Sequence, residues 1–505
     1  MSENLFQTLQ AGFPADRQGT AIELPDGRRH SYADLEAASG RLARLLRDLG
    51  VAPGERVAVQ VEKSAEALFL YLACLRAGAI YLPLNTAYTP AEIAYFLGDA
   101  EPRVFVCPPA AEAALRDTAA AAGVAHLLTL GQDGDGSLIA AARDLDPEAG
   151  CAEAAADDIA AILYTSGTTG RSKGAMLSHG NLASNAATLH RIWGFRAGDV
   201  LLHALPLFHV HGLFVASNTA LLNGSRIVLL PRFDAAEILR RLPEATVFMG
   251  VPTFYTRLLA EPGFGAEACR NVRLFVSGSA PLLTETFEAF RARSGHTILE
   301  RYGMTEAGMI TSNPLEGERR AGTVGLPLPG VAVRIRAEDG SENPEGEIGV
   351  LELKGPNVFK GYWRNPEKTA EEFRADGFFI SGDLARIDEG GYVHIVGRAK
   401  DLIISGGYNV YPKEIERAID ELDGVRESAV IGLPHRDFGE AVAAVVVPAP
   451  SGPPPEESEL IARLKDRLAG YKVPKRIFTA ESLPRNAMGK VQKNQLRDAH
   501  KDAFS

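Results

Sequence analysis

The sequence predicts an α/β protein: a large N-terminal domain of two α/β layers plus a small β-rich region, followed by a small mobile α+β C-terminal domain. Three observations carry that prediction. A chain of 505 residues exceeds one ordinary hydrophobic core. Helix-spaced and strand-like segments alternate through most of it, the pattern of a largely parallel sheet. The texture then changes after Gly397-Arg398-Ala399-Lys400-Asp401, placing a boundary at 397/398 between domains 1–397 and 398–505.

Tyr32 to Leu49 has helical spacing (Leu35, Leu42, Leu45, Leu46) and leads to a strand at Val57–Val61. A helix over Ala65–Arg76 and a strand over Ile80–Leu82 follow. Asp133–Gly136 is a turn, and Ala141–Ala156 is an Ala-rich acidic surface connection. A second α/β set begins at Ile159, with strands at Val200–Leu202, Ile227–Leu230, Thr246–Met249 and Leu274–Val276. From Gly322 to Lys360, Gly and Pro separate short alternating runs (Val331–Ile335, Ile348–Leu353), a β-rich texture. Beyond the boundary come a helix at Pro412–Ile419, strands near Ala429 and at Val442–Val447, and a helix at Glu457–Leu468. That is a domain-sized α+β unit.

Hydrophobic residues make up 46% and charged ones 23%, a globular composition, and the net charge of −11 argues against nucleic acid or an anionic membrane as partner. An anionic substrate must then be met by local cations. The most apolar segment, Ala67–Leu84, contains Arg76 and turn residues, so it reads as a core helix and strand, not a membrane span. Cys74, Cys107, Cys151 and Cys269 lie far apart, which suggests neither disulfides nor a zinc knuckle. The N-terminus carries no basic and apolar leader, so a cytoplasmic location is expected.

The segment that everything else serves is the buried strand Ala160–Tyr164 running into Thr165, Ser166, Gly167, Thr168, Thr169, Gly170, Arg171, Ser172 and Lys173. Glycines let backbone N–H groups approach an anion, hydroxyls add donors, and Arg171 and Lys173 add charge, a composition that fits a polyphosphate. It is not a Walker A loop, which would need Gly where Ser172 stands. Arg301-Tyr302-Gly303-Met304-Thr305-Glu306 offers an aromatic for a base and a carboxylate, Glu306, suited to Mg²⁺ against phosphate oxygens. Asp383, read on a turn, suits two ribose hydroxyls. Lys400 sits at the domain junction, followed by Ser405, Gly406, Gly407 and Tyr408, a hinge and then a binding surface. Lys490 lies in Pro484–Val491 near the C-terminus. His203, His209 and His211, the last two expected to share a strand face, have no acidic or thiol residue nearby to complete a zinc set.

These five segments, in this order and over nearly the whole chain, resemble the adenylate-forming superfamily of acyl-CoA synthetases, adenylation domains and beetle luciferases. Within it, His203–Leu213, Gly250–Arg257, Ser277–Leu282 and Leu299–Glu306 are most similar to the malonate–CoA ligase branch. The resemblance implies ATP-dependent activation of malonate as an acyl-adenylate, with release of pyrophosphate. Rotation of the C-terminal domain would follow, and displacement of AMP by coenzyme A. It implies that Thr165–Lys173 cradle the β- and γ-phosphates. Ser277, Gly278, Ser279, Ala280, Pro281 and Arg301–Met304 would line the nucleotide site, with Gly278–Pro281 and Tyr302 flanking adenine. Thr305 would touch the α-phosphate, Thr165 and Glu306 would hold Mg²⁺, and Asp383 and Arg398 the ribose. Lys400 would be the hinge, Lys490 the cation bridging carboxylate and α-phosphate, Ser405–Tyr408 a CoA contact and His209 a gate beside the acyl pocket. A regulatory lysine acyltransferase acting on Lys490 is a further implied partner.

A malonate half keeps a second charge that cannot be buried unpaired, so the pocket needs a fixed cation. Arg257 and Arg301 are the candidates, Arg257 the favoured one, with Ser279 as an added donor. A ligase for methylmalonate, acetate or an aryl acid, and a stand-alone module loading a carrier protein, remain alternatives. No serine-bearing carrier domain is expected after residue 505.

Overall fold

The computed structural model describes residues 3–165, 172–337, 339–405, 408–435, 438–450, 455–468, 470–486 and 489–504, the side chains of 408 and 409 excepted. They fold as two compact units, Met1–Ala332 with Leu353–Phe379, and Val333–Glu352 with Ile380–Ser505. The second unit thus takes in residues 333–352 of the Gly/Pro-rich stretch. The strands Ala332–Arg336, Gly349–Lys354, Phe379–Ile387 and Val393–Arg398 form one four-stranded sheet.

In the first unit, a six-stranded sheet runs in the order His126–Thr129, Val104–Cys107, Arg56–Val59, Ile80–Pro83, Ile159–Thr165, Lys173–Ser178. Its first five strands are parallel and the last is antiparallel, with Thr165 opposite Lys173. The residues between those two strands, 166–171, carry most of the expected phosphate loop and lie outside the described residues. A second sheet has nine strands. Its central run of Leu299–Met304, Leu274–Ser277, Val247–Gly250, Val200–His203, Arg226–Leu229 and Thr20–Glu23 is parallel throughout.

Local chemistry explains the helices between. Tyr32–Asp48 starts at a capping box, Ser31 with Asp34, and buries Leu35, Leu42, Leu45 and Leu46. Ala65–Ala77 is capped by Ser64, ends on the left-handed Gly78 (φ 71°), and is buried along almost its full length. It therefore shows no polar face. Among the described residues no helix is long and apolar enough to cross a membrane.

The second unit holds a five-stranded sheet built on the long pair Val425–His435 and Gly439–Pro448. Its faces alternate with the strand period of two. Val430, Val442, Ala444 and Val446 pack under the helices Pro412–Asp420 and Glu457–Lys465, while Ala429, Ile431, Leu433, Ala443 and Val445 meet Leu496 of Lys493–His500.

Candidate active site

Parallel sheets collect ligands beyond the carboxyl ends of their strands. At that edge of the nine-stranded sheet, Val200–His203 ends on His203, Val247–Gly250 on Gly250, and Leu274–Ser277 runs into Gly278 and Ser279. The register continues, Ser277 lying beside Glu300, so Arg301 is the next residue along the neighbouring strand.

Arg301 is 2% exposed, and its Nε and Nη2 have no hydrogen-bond partner among the described residues. Those two N–H groups form one side of the guanidinium, the geometry that receives both oxygens of a carboxylate. Burial pulls Arg301 down to about 9, while Tyr255 and Glu300 push back. Its head lies so close to Gly278 that a Cβ there would stand 2.5 Å from Cζ. Ser279 holds a left-handed backbone (φ 71°), a strain that non-glycine residues keep at functional positions. The Ser279 hydroxyl is 3.2 Å from Nδ1 of His211.

His211 is buried, its Nε2 lacks a partner among the described residues, and burial and then Arg301 drive its pKa well below the usual range, which favours the neutral ring. It opens a π-helical turn, His211–Ser217, rather than a strand. His209 and His211 therefore do not share a strand face. His209 is half-buried, and its Nδ1 accepts a bond of 3.4 Å from the backbone N–H of His211. Beneath them His203 is fixed by Lys63, whose ammonium donates to His203 Nδ1 (3.0 Å), His203 O (2.9 Å) and Leu205 O (2.7 Å). Among the described residues no cluster of His, Cys, Asp or Glu suited to a metal appears, and these histidines form none.

Arg257, the favoured carboxylate cation of the sequence reading, is placed differently from Arg301. It stands exposed in the last turn of Pro252–Ala260, its guanidinium 5.7 Å from the ring centre of Phe233. Of the two candidate cations Arg301 is thus the buried one and Arg257 the exposed one.

Elsewhere in the same unit runs a chain of polar contacts. Thr305 and Glu306 occupy the turn between Leu299–Met304 and the antiparallel Gly308–Ser312. Glu306 is buried, with the Tyr362 hydroxyl 3.2 Å from its Oε1. Tyr362 donates to Glu372 Oε2 at 2.6 Å, and Lys173 Nζ donates to Glu372 Oε1 at 3.0 Å. Glu306, expected at the metal, and Lys173, expected at the phosphates, are thus joined through Tyr362 and Glu372, two residues that the sequence reading did not single out.

In the second unit Asp383 lies on the strand Phe379–Ile387, not on a turn. It is opposite Arg398, whose Nε is 2.9 Å from Asp383 Oδ1. Its neighbour Gly382 has a positive φ of 71°, which in sequence looks like turn chemistry. Lys400 sits in the short turn Ala399–Asp401. Ser405 is buried and pairs with Tyr408 across the expected hairpin; Gly406, Gly407 and the Tyr408 side chain lie outside the described residues. Lys490 closes a turn in which Asn486 Oδ1 accepts from the Lys490 backbone N–H at 3.0 Å. Residues 487 and 488 of that motif are not described. The Lys490 side chain reaches solvent, yet desolvation of its ammonium, then Arg398 and Lys400, lower its pKa to about 8.

A sequence model of the AMP-binding enzyme family matches residues 11–363, and one of its C-terminal domain matches residues 414–490. The chain belongs to the AMP-binding enzymes. The ATP-bound crystal structure of MatB from Rhodopseudomonas palustris is similar over 100% of both chains, at 55% identity and a TM-score of 0.98. A malonate–CoA ligase of Arabidopsis thaliana is 36% identical over 94% of this chain and 85% of its own length. A feruloyl-CoA synthase of an Amycolatopsis species is 38% identical over 93% of this chain and 94% of its own. Glu306, with Thr165 beside Lys173 in the hairpin, offers hard oxygen donors of the kind Mg²⁺ takes alongside phosphate oxygens.

Proposed function

We propose that this AMP-binding enzyme joins malonate to coenzyme A, consuming ATP and releasing AMP and pyrophosphate through a malonyl-adenylate. The observation that carries the substrate is the Nε/Nη2 side of buried Arg301, without a partner among the described residues, against Gly278, the residue before Ser279. A neutral acyl group would leave that cation unanswered in a dry pocket, at a cost of several kcal/mol. A second carboxylate answers it. The identity with ligases named for malonate supports the same reading.

In the first half-reaction one malonate carboxylate attacks the α-phosphate. Arg301 and Ser279 hold the other, His211 positions the Ser279 hydroxyl, and His209 borders the pocket. Gly278–Pro281 and Tyr302 flank the adenine, Thr305 meets the α-phosphate, and Asp383 with Arg398 takes the ribose hydroxyls. Thr165 and Glu306 would hold Mg²⁺, which neutralises polyphosphate charge when bound. Lys173, with the loop Ser166–Arg171, receives the β- and γ-phosphates. Lys490 supplies the cation shared by the attacking carboxylate and the α-phosphate, a term worth several kcal/mol in a site that excludes water. In the second half-reaction residues 398–505 turn about Lys400 as a lid, Ser405–Tyr408 meet coenzyme A, and the thiol displaces AMP. Acylation of Lys490 by a lysine acyltransferase would remove its charge and stop the first step. A cytoplasmic location remains part of this reading.

A pyrophosphate-release panel over malonate, methylmalonate, succinate, acetate and benzoate tests it. Malonate, with or without its methyl derivative, should lead. Benzoate or acetate in first place would refute the dicarboxylate assignment in favour of the feruloyl-type relatives or a small neutral acid.

A further inference from the structure

We propose that Tyr362 and Glu372 are positioning residues that couple Glu306 to Lys173, so that the polyphosphate of ATP and its divalent cation are bound as one unit. This rests on the roles just given to Glu306 and Lys173, and it assigns work to two side chains outside those roles.

The geometry is a branched chain. Glu372 Oε1 accepts from Lys173 Nζ at 3.0 Å and lies 3.3 Å from Lys368 Nζ, while Oε2 accepts from the Tyr362 hydroxyl at 2.6 Å. The same hydroxyl is 3.2 Å from Glu306 Oε1. A phenol carries one proton, so it serves one carboxylate fully at a time, and the shorter contact is to Glu372. The ring cannot turn away from this task. Tyr362 is 3% exposed, its ring centre is 4.9 Å from that of Phe359, and its backbone N–H donates to Thr369 Oγ1 at 2.9 Å. Lys173 Nζ also stands 4.2 Å from the ring centre, a second attraction that fixes the ammonium above Tyr362.

Consider what a cation does to this chain. On Glu306 it takes over that carboxylate's charge, so the phenol proton settles on Glu372. Glu372, itself half-buried and held below its usual pKa by Tyr362 and Lys173 against the effect of burial, then keeps Lys173 in place. Lys173 retains two further N–H donors for phosphate oxygens. Remove the phenol hydroxyl, and the two ends bind their ligands independently. Remove the Glu372 carboxylate, and the proton turns to Glu306, where it competes with the cation.

The test is calorimetric binding of an ATP analogue with a non-cleavable α,β-bridge, with and without Mg²⁺, alongside AMP as a ligand lacking the outer phosphates. Tyr362→Phe should reduce the factor by which Mg²⁺ tightens the analogue about tenfold, the size of one hydrogen bond to a charged group, and leave AMP affinity within about twofold. Glu372→Gln, which keeps an acceptor oxygen but loses the charge, should show the same loss in smaller measure. Lys173→Met reports on the parent reading: it must weaken the analogue and spare AMP. If Lys173→Met spares both, Lys173 is not a phosphate ligand and the coupling falls with it. If Lys173→Met weakens the analogue while Tyr362→Phe and Glu372→Gln leave the Mg²⁺ factor intact, the coupling alone is overturned.

Discussion

Two cations differ in almost every physical respect. Arg301 is anchored on a central parallel strand, is 2% exposed, and lies against the backbone of Gly278. Lys490 sits on a short turn closed by one asparagine, reaches solvent, and stands near the positive charges of Arg398 and Lys400. The contrast teaches which cation can select a substrate and which can leave during catalysis. A guanidinium that cannot move recognises shape and charge at once. An ammonium on a turn, whose pKa is pulled down and whose hold is weak, suits a step after which it must withdraw.

The sharpest way to break this comparison is at Arg301. Arg301→Met should lower kcat/KM for malonate by about 10²–10³-fold, the penalty of leaving a buried carboxylate unpaired. It should also raise the melting temperature, because an uncompensated buried charge is gone. Equal losses for malonate and acetate would show that Arg301 only supports the fold.

Lys490→Ala should reduce malonyl-adenylate formation by about 10²–10³-fold, as for loss of one dedicated electrostatic contact to a developing charge. Thioester formation from supplied malonyl-adenylate should survive, and parallel loss of both half-reactions would undo the division of labour. Gly278→Ala comes next. Its Cβ would displace the Arg301 head, and a displacement of this kind costs on the order of tenfold or more in kcat/KM.

Titration separates the two cations without mutation. Lys490 has its pKa lowered, so its charge is present below about 8 and lost as pH rises through that value. The first half-reaction should therefore decline above about pH 8, and Lys490→Arg should shift that decline upward. A pH-independent first step would refute the charge role. The smallest effect is expected at Arg257: Arg257→Ala should change kcat/KM for malonate by less than about twofold, in line with an exposed side chain outside the buried cluster.

The parallel sheets were legible because buried parallel strands read as short apolar runs, and Val200–His203, Val247–Gly250 and Leu274–Ser277 all fall within a residue of the expected spans. The exposure of Arg257 was legible too. In Pro252–Ala260 the buried residues are Pro252, Tyr255 and Leu258, spaced three apart, and residue 257 falls off that stripe. The π-helical start at His211 was not readable, since that geometry answers tertiary packing and has no sequence signature. Asp383 was misplaced because Gly382 mimics a turn within a strand. Tyr362 and Glu372 escaped notice because their partners, Glu306 and Lys173, lie 56 and 199 residues away.

The close fit of Arg301 against Gly278 also constrains how this lineage could change its diet. Enlarging residue 278 while the arginine is in place ruins the pocket, whereas shortening residue 301 first makes room for it. A route from small diacids to bulky aromatic acids is therefore passable in one order of substitutions and blocked in the other. Descendants that came to accept larger acids would be expected to give up the arginine before filling the space beside it.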